Sequence, residues 1–293
     1  MTAMSTSERR LASDADFDTS IIPLQLAAKG SVSTSEICPP TETADRICRW
    51  SHLKTELPLR RLLSLGILGG VYIGLGGALA TLATSDSSLG NGPTRWLGGV
   101  AFSLGLILVV IGGAELSTGN CLMTISRLRG TTTGWNVWRN WSWSYSANAV
   151  GAVLLACLVV LSGIYDAEPL HSAAIRIAET KLGLSAPQAF ARGVLANMLV
   201  CLAVWLATAS QSVTGKFFGI VFPISAFVAL GFEHSIANLY LIPVGLMIGA
   251  AGTSLDLIRN ILAVTAGNLV GGAIVAAGLL WLGSDNARRP SQK

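Results

Sequence analysis

Charge is what this sequence has least of. Asp, Glu, Lys and Arg make up 12% of its 293 residues, against about one-quarter in an ordinary soluble domain. A hydrophobic share of 51% and a mean hydropathy of +0.58 agree: this is the balance of a chain that crosses a bilayer several times. Cysteine is sparse and poorly spaced. Cys38, Cys48, Cys121, Cys157 and Cys201 include no Cys-x-x-Cys pair, which sets aside a disulfide framework or a zinc site. Three of them lie in or beside apolar runs, where a free thiol behaves as a small hydrophobe. The histidines, His52, His171 and His234, have no metal-ligand spacing, and no cofactor is expected. Basic residues do not form a stripe interleaved with aromatics, which argues against a nucleic-acid partner. The net charge of +4 belongs to tails and loops.

What the chain does have is apolar runs. Residues 1–57 are polar, with Pro39-Pro40 in the middle, and read as a cytoplasmic tail lacking the hydrophobicity to fold. The first long apolar run begins only near Leu59, so no cleaved signal peptide is expected. Six segments follow, at about Leu59–Ala83, Trp96–Glu115, Trp143–Ile164, Ala189–Ala209, Phe217–Ala250 and Leu257–Leu282. Each approaches or exceeds the roughly 20 residues a spanning helix needs. The fifth is too long for one simple helix and reads as two half-helices. The expected organisation is a tail over 1–57, a six-span domain over 58–284 and a cytoplasmic end over 285–293. Fifteen of the 20 Lys/Arg fall in residues 1–61, in the C-terminal end, at Lys216, and in the loop of Arg127, Arg129 and Arg139. The other five are Arg95, Arg176, Lys181, Arg192 and Arg259. The positive-inside rule then puts both termini in the cytoplasm, as an even number of spans requires. Trp96, Trp135, Trp138, Trp141, Trp143 and Trp281 stand at segment ends, as an interfacial aromatic belt does.

Two apolar segments are interrupted by the same motif, Gly-x-Glu-x-Ser-x-x-Asn, once over Gly113–Asn120 and once over Gly231–Asn238. Paired polar breaks in corresponding positions point to a transport site built on an internal repeat. A second pair supports it: Asn148-Ala149-Val150-Gly151 and Asn268-Leu269-Val270-Gly271 are offset by 120 residues, the first pair by 118. Three spans per repeat make the repeats inverted. A broken helix exposes backbone groups, tolerated in a membrane only against protein or a polar cavity. The half-helix N-termini so created favour anions. Ser117, Thr118, Asn120, Ser235 and Asn238 carry side chains able to cap these ends.

His234 exchanges a proton near neutral pH and is the candidate to meet an anion; a histidine that only ties helices together is the alternative. Glu115 and Glu233 need partners at membrane depth and read as structural, accepting from loop N–H groups. Lys181 reads by itself as a solvated loop lysine able to draw anions. A hydrolase built on Glu233-His234-Ser235 is disfavoured, because consecutive residues do not converge as nucleophile, base and orienter. A neutral-solute channel has no need of the ionisable pair.

With these residues in view, the chain resembles the formate/nitrite transporter family over about residues 58–284. The resemblance is carried by Ala226-Phe227-Val228-Ala229-Leu230-Gly231-Phe232-Glu233-His234-Ser235-Ile236-Ala237-Asn238, by Leu195–Trp205 and by Gly267–Gly272. It implies an all-α membrane protein, an aquaporin-like six-helix bundle with helices two and five broken, assembled as a homopentamer with one pore per protomer. It implies conduction of formate, nitrite or hydrosulfide across the cell membrane, proton-coupled in some members. His234 is similar in position to the family's central pore histidine, Thr118 to the threonine of the loop breaking helix two, and Lys181 to the lysine of the outer vestibule. Asn197 and Asn238 match polar pore positions; Phe102, Leu106, Leu116, Val200 and Phe227 match the two apolar constrictions. Ser117 departs from the pattern, standing where the family usually has Phe, which implies a wider cytoplasmic constriction.

Overall fold

Long apolar runs in a bilayer must satisfy their backbone internally, and the helix is the form that does so within one segment. The computed structural model describes residues 36–282, and among these described residues there are ten α-helices, one 3-10 turn and no β-strand. In chain order these are α1 (Pro40–Glu56), α2 (Leu59–Ser85), α3 (Asn91–Val110), the 3-10 turn Gly119–Leu122, α4 (Met123–Leu128) and α5 (Gly134–Leu161). Then follow α6 (Leu170–Leu182), α7 (Ala186–Ala209), α8 (Val213–Ala229), α9 (Ser235–Met247) and α10 (Ser254–Leu282). Helices α2, α3, α5, α7 and α10 are long and apolar enough to cross a membrane. The fifth apolar run divides as its length requires, into α8 and α9 of 17 and 13 residues.

The chain runs through the same sequence of shapes twice. A short helix (α1 or α6) precedes a span (α2 or α7), then a broken span (α3 to α4, or α8 to α9), then a closing span (α5 or α10). Within each repeat the first span packs on the last, α2 on α5 and α7 on α10, and α3 against α8 joins the repeats. Glycine permits those close crossings. A Cβ on Gly151 of α5 would overlap the Ile67 carbonyl of α2, and one on Gly271 of α10 the Val194 carbonyl of α7. Small residues at helix interfaces let backbones approach this way in membranes. Both breaks begin alike: α3 gives way at Gly113 (φ 85°) and α8 at Gly231 (φ 73°), the left-handed conformation glycine adopts without steric cost.

Residues 40–56 correct the tail expectation, because they form α1 rather than unstructured chain. Ala44, Ile47 and Trp50 are spaced three apart and buried. They belong to an apolar cluster with Leu122, Met123, Ile125 and Val137. The polar residues between them hid a period too short to stand out in a window of ordinary length. Ahead of α1, Cys38 N–H donates to the Ala209 carbonyl (2.9 Å) and the Gln211 N–H to the Glu36 carbonyl (3.0 Å), pinning the chain to the α7–α8 turn. The rest of the tail expectation, residues 1–35, and the end over 285–293 lie outside the described residues. Helix α6 likewise occupies what read as a loop. Of the expected aromatic belt, Trp96, Trp135, Trp138 and Trp143 are exposed. Trp141 instead turns its indole N–H to the Asn120 carbonyl (2.9 Å).

Candidate functional site

Each break is held by one asparagine from the closing span of its repeat. Asn148 Nδ2 donates to the carbonyls of Gly66 (2.7 Å) and Glu115 (2.7 Å), and its Oδ1 accepts the Ser117 N–H (2.9 Å). Asn268 repeats the pattern with Gly193 (2.8 Å), Glu233 (3.0 Å) and the Ser235 N–H (2.9 Å). The glutamate N–H groups go to the first span of each repeat, Glu115 to Leu65 O and Glu233 to Arg192 O. The irregular backbone is thus satisfied by protein rather than lipid.

The carboxylates are not held by loop N–H groups, as expected, but by lysine and asparagine side chains. Glu115 takes Lys54 Nζ (2.8 Å) and Asn120 Nδ2 (2.8 Å), and Asn120 in turn accepts from Lys54 and donates to Asn140. Glu233 takes Lys181 Nζ (3.0 and 3.1 Å) and Asn238 Nδ2 (2.6 Å), and Asn238 donates onward to Asn260. A buried charge needs a countercharge as well as hydrogen bonds, and the N–H groups of Ser117 and Ser235 are committed to Asn148 and Asn268. Lys54 is the participant that reasoning from sequence missed. It lies in the stretch read as tail, and its spacing to Lys181 differs from the 118–120 offset of the repeat, because the short helices join their spans differently.

His234 is the N-cap of α9. Its Nδ1 accepts the Ala237 N–H (3.2 Å), and its Nε2 lies 2.9 Å from Thr118 Oγ1 on the opposite break. With Nδ1 occupied as an acceptor, the neutral ring carries its hydrogen on Nε2 and donates it to Thr118. The Thr118 hydroxyl hydrogen then remains to be offered to another acceptor. Both residues are buried, His234 at 2% and Thr118 at 4% exposure.

On the Lys181 side a cavity of about 520 Å³ leads down to His234. Its walls carry Arg95, Arg176, Lys181 and Arg192, with Glu233 as the carboxylate among them, and its inner end reaches Phe102, Phe227 and His234. Four of the five basic residues that the charge count assigned to the minority side therefore converge on one funnel. Arg192 Nη1 donates to the Gly231 carbonyl (3.3 Å), and the Arg95 guanidinium occupies the space a side chain at Gly231 would fill. The Phe102 and Phe227 rings meet edge to face, 5.5 Å between centroids, and Phe227 lies 6.2 Å from the imidazole. Leu106, Leu116 and Val200 are buried in the same apolar cluster as these two rings.

Three sequence-predicted residues fall elsewhere. Asn238 belongs to the Glu233 network described above. Asn197 fixes α7 to its neighbours, donating to the Asn268 carbonyl (2.6 Å) and Cys121 Sγ (3.4 Å). Ser117 does not sit with the constriction residues. It lines a separate lateral cleft of about 280 Å³ with Trp138, Trp141, Tyr145 and Thr265. Its N–H is tied to Asn148 and the adjacent Leu116 packs into the apolar cluster, which turns the Ser117 side chain the other way. Ser235, its counterpart, lines the same cleft.

A family model described as formate/nitrite transporter matches residues 41–282, a span that takes in α1, outside the limits expected from the sequence. The chain is 42% identical over 261 residues to a probable formate transporter of Methanothermobacter thermautotrophicus, covering 83% of this chain and 95% of the relative. Among solved structures, a pentameric formate channel with formate bound is 32% identical, with a TM-score of 0.68 over 76% of this chain and 96% of that one. An FNT family ion channel is 29% identical, with a TM-score of 0.73 over 84% and 98%.

Proposed function

The chain belongs to the formate/nitrite transporter family, and from that premise we propose that it is a membrane channel for formate and similar small monovalent anions. The supporting observation is the Thr118–His234 contact, two polar side chains from opposite helix breaks meeting at 2.9 Å in an otherwise apolar passage. The arginines of the outer cavity raise the local concentration of anions. An anion then passes the Phe102–Phe227 pair and meets the Thr118 hydroxyl, which His234 Nε2–H holds, and the N-terminal end of α9. This donor and the helix end replace part of its lost hydration. Leu106, Leu116 and Val200 form the second apolar barrier, and Lys54 marks the far mouth as Lys181 marks the near one.

His234 acts first through Thr118, whose hydroxyl accepts the Nε2–H and offers its own hydrogen to the anion. A ring protonated on both nitrogens would have to release the Ala237 N–H that Nδ1 holds, so proton transfer to the anion is coupled to loosening the start of α9. Nitrite and hydrosulfide present acceptors to the same donors and compete for the path. The protein works as a homopentamer in the cytoplasmic membrane, with both termini on the cytoplasmic side and a pore in each protomer. The relatives named above are transporters and channels, and Glu233 is committed to Lys181 and Asn238 and so is not available to Ser235 as part of a hydrolytic cluster.

The test is formate flux in proteoliposomes across pH, wild type against His234→Asn. Asparagine keeps an oxygen able to cap α9 and lacks the Nε2–H. Reduced flux with an altered pH profile is expected; an unchanged profile in a correctly assembled variant removes His234 from the path.

A further inference from the structure

We propose that the lateral cleft between α5 and α10 is a second ligand site, for a small neutral molecule with one hydroxyl on a ring-sized apolar body, a phenol by chemical class. The two helices meet through Tyr145 Oη and Thr265 Oγ1 at 2.8 Å, residues 120 apart on the repeat. The cleft opens beside that contact. Trp138 forms its outer rim and is 57% exposed; Trp141 lies beside it. The inner end is made by the two breaks themselves, at Ser117 and Ser235.

Two features select the occupant. Among the described residues no carboxylate, ammonium or guanidinium lines the cleft, so a charged ligand would be left without a countercharge where ions are costly to hold. At the inner end, among the described residues, Ser117 Oγ is buried without a hydrogen-bond partner, and Ser235 Oγ is buried with only the Tyr145 hydroxyl as a nearby, poorly aligned neighbour. Buried hydroxyls are nearly always paired in native proteins, and a ligand hydroxyl can donate to one serine while accepting from the other. A lipid acyl chain offers neither function. The volume of about 280 Å³ is at the small end of ligand pockets and suits a substituted benzene ring set against the indoles. Thr118 also lines this cleft while its hydroxyl bonds His234, so an occupant bears on the polar station from behind.

The experiment uses the full chain in lipid nanodiscs with 4-bromophenol as probe, at pH 7 where a phenol is neutral. Heavy-atom quenching of tryptophan emission is the readout. A saturable component is expected in the wild type, weakened roughly tenfold or more by Ser117→Phe, which fills the cleft, and severalfold by Ser117→Ala, which removes only the hydroxyl. Ser142→Trp fills the cleft from the α5 side and serves if Ser117→Phe fails to assemble. Quenching that rises linearly, as in empty nanodiscs, overturns the proposal. So does saturable quenching that the filling variants leave unchanged. Binding is read without transport, so a negative result leaves the channel reading standing.

Discussion

Replacing Lys181 with methionine keeps an unbranched side chain of similar reach and removes the ammonium from Glu233. In the wild type the Glu233 side chain is 5% exposed and Lys181 14%. The carboxylate receives both oxygens' contacts from Lys181 at 3.0–3.1 Å and one bond from Asn238 at 2.6 Å. After Lys181→Met a single amide remains for a full negative charge. Removing one partner of a buried ion pair costs about 3–5 kcal/mol. The residual exposure of Lys181 favours the lower end, about 3 kcal/mol, because water screens part of the interaction. Adding Glu233→Gln removes the charge together with its countercharge and should recover most of that loss. Lys54→Met should behave the same way at Glu115, which is 2% exposed. The assay is unfolding in mixed micelles titrated with dodecyl sulfate, followed by circular dichroism. A Lys181→Met protein within about 0.5 kcal/mol of wild type would refute the reasoning, as would a double variant no more stable than the single one.

Three further outcomes are expected. Asn268→Ala strands the Ser235 N–H and the Glu233 carbonyl, at about 1–3 kcal/mol for each buried group; Asn148→Ala should match it on the other break, read by the same titration. Phe227→Ala removes one ring of the pair 5.5 Å apart and should raise formate flux and admit acetate, which an ion-replacement current measures. Arg95→Ala combined with Arg192→Ala should lower formate flux severalfold at about 10 mM salt and little at 0.5 M, because screening shortens the reach of the outer charges.

The fold was legible to the extent that its signals were repeated. Gly113 and Gly231, each followed by the same polar frame, locate both breaks; Asn148 and Asn268 are legible as a second repeated pair, but that they hold the breaks is visible only in their hydrogen bonds. The six apolar runs predicted the spans to within a few residues, except that α5 begins at Gly134 instead of near Trp143, its first turns being rich in Asn, Arg and Trp. What stayed hidden depends on three-dimensional partnership. The buried face of α1 is a few small and apolar residues in polar sequence, and Lys54 acquires meaning only through Glu115, 61 residues away. Alternation around a loop cannot be read without its bonds, so Ser117 was assigned to the constriction, whereas its side chain faces the lateral cleft. The family resemblance matches Asn197 and Asn238 to polar pore positions; in the structure Asn197 donates to the Asn268 carbonyl and Asn238 to Glu233 and Asn260.

The most direct test of the polar station is a double-mutant cycle on formate flux in proteoliposomes, using His234→Asn, Thr118→Val and the pair together, with assembly checked by size exclusion. Two residues that act as one unit give non-additive losses. Each single change should cut flux roughly tenfold, and the double variant should be no slower than the worse single. Wild-type flux in either assembled single variant, or losses that multiply in the double variant, would contradict the account.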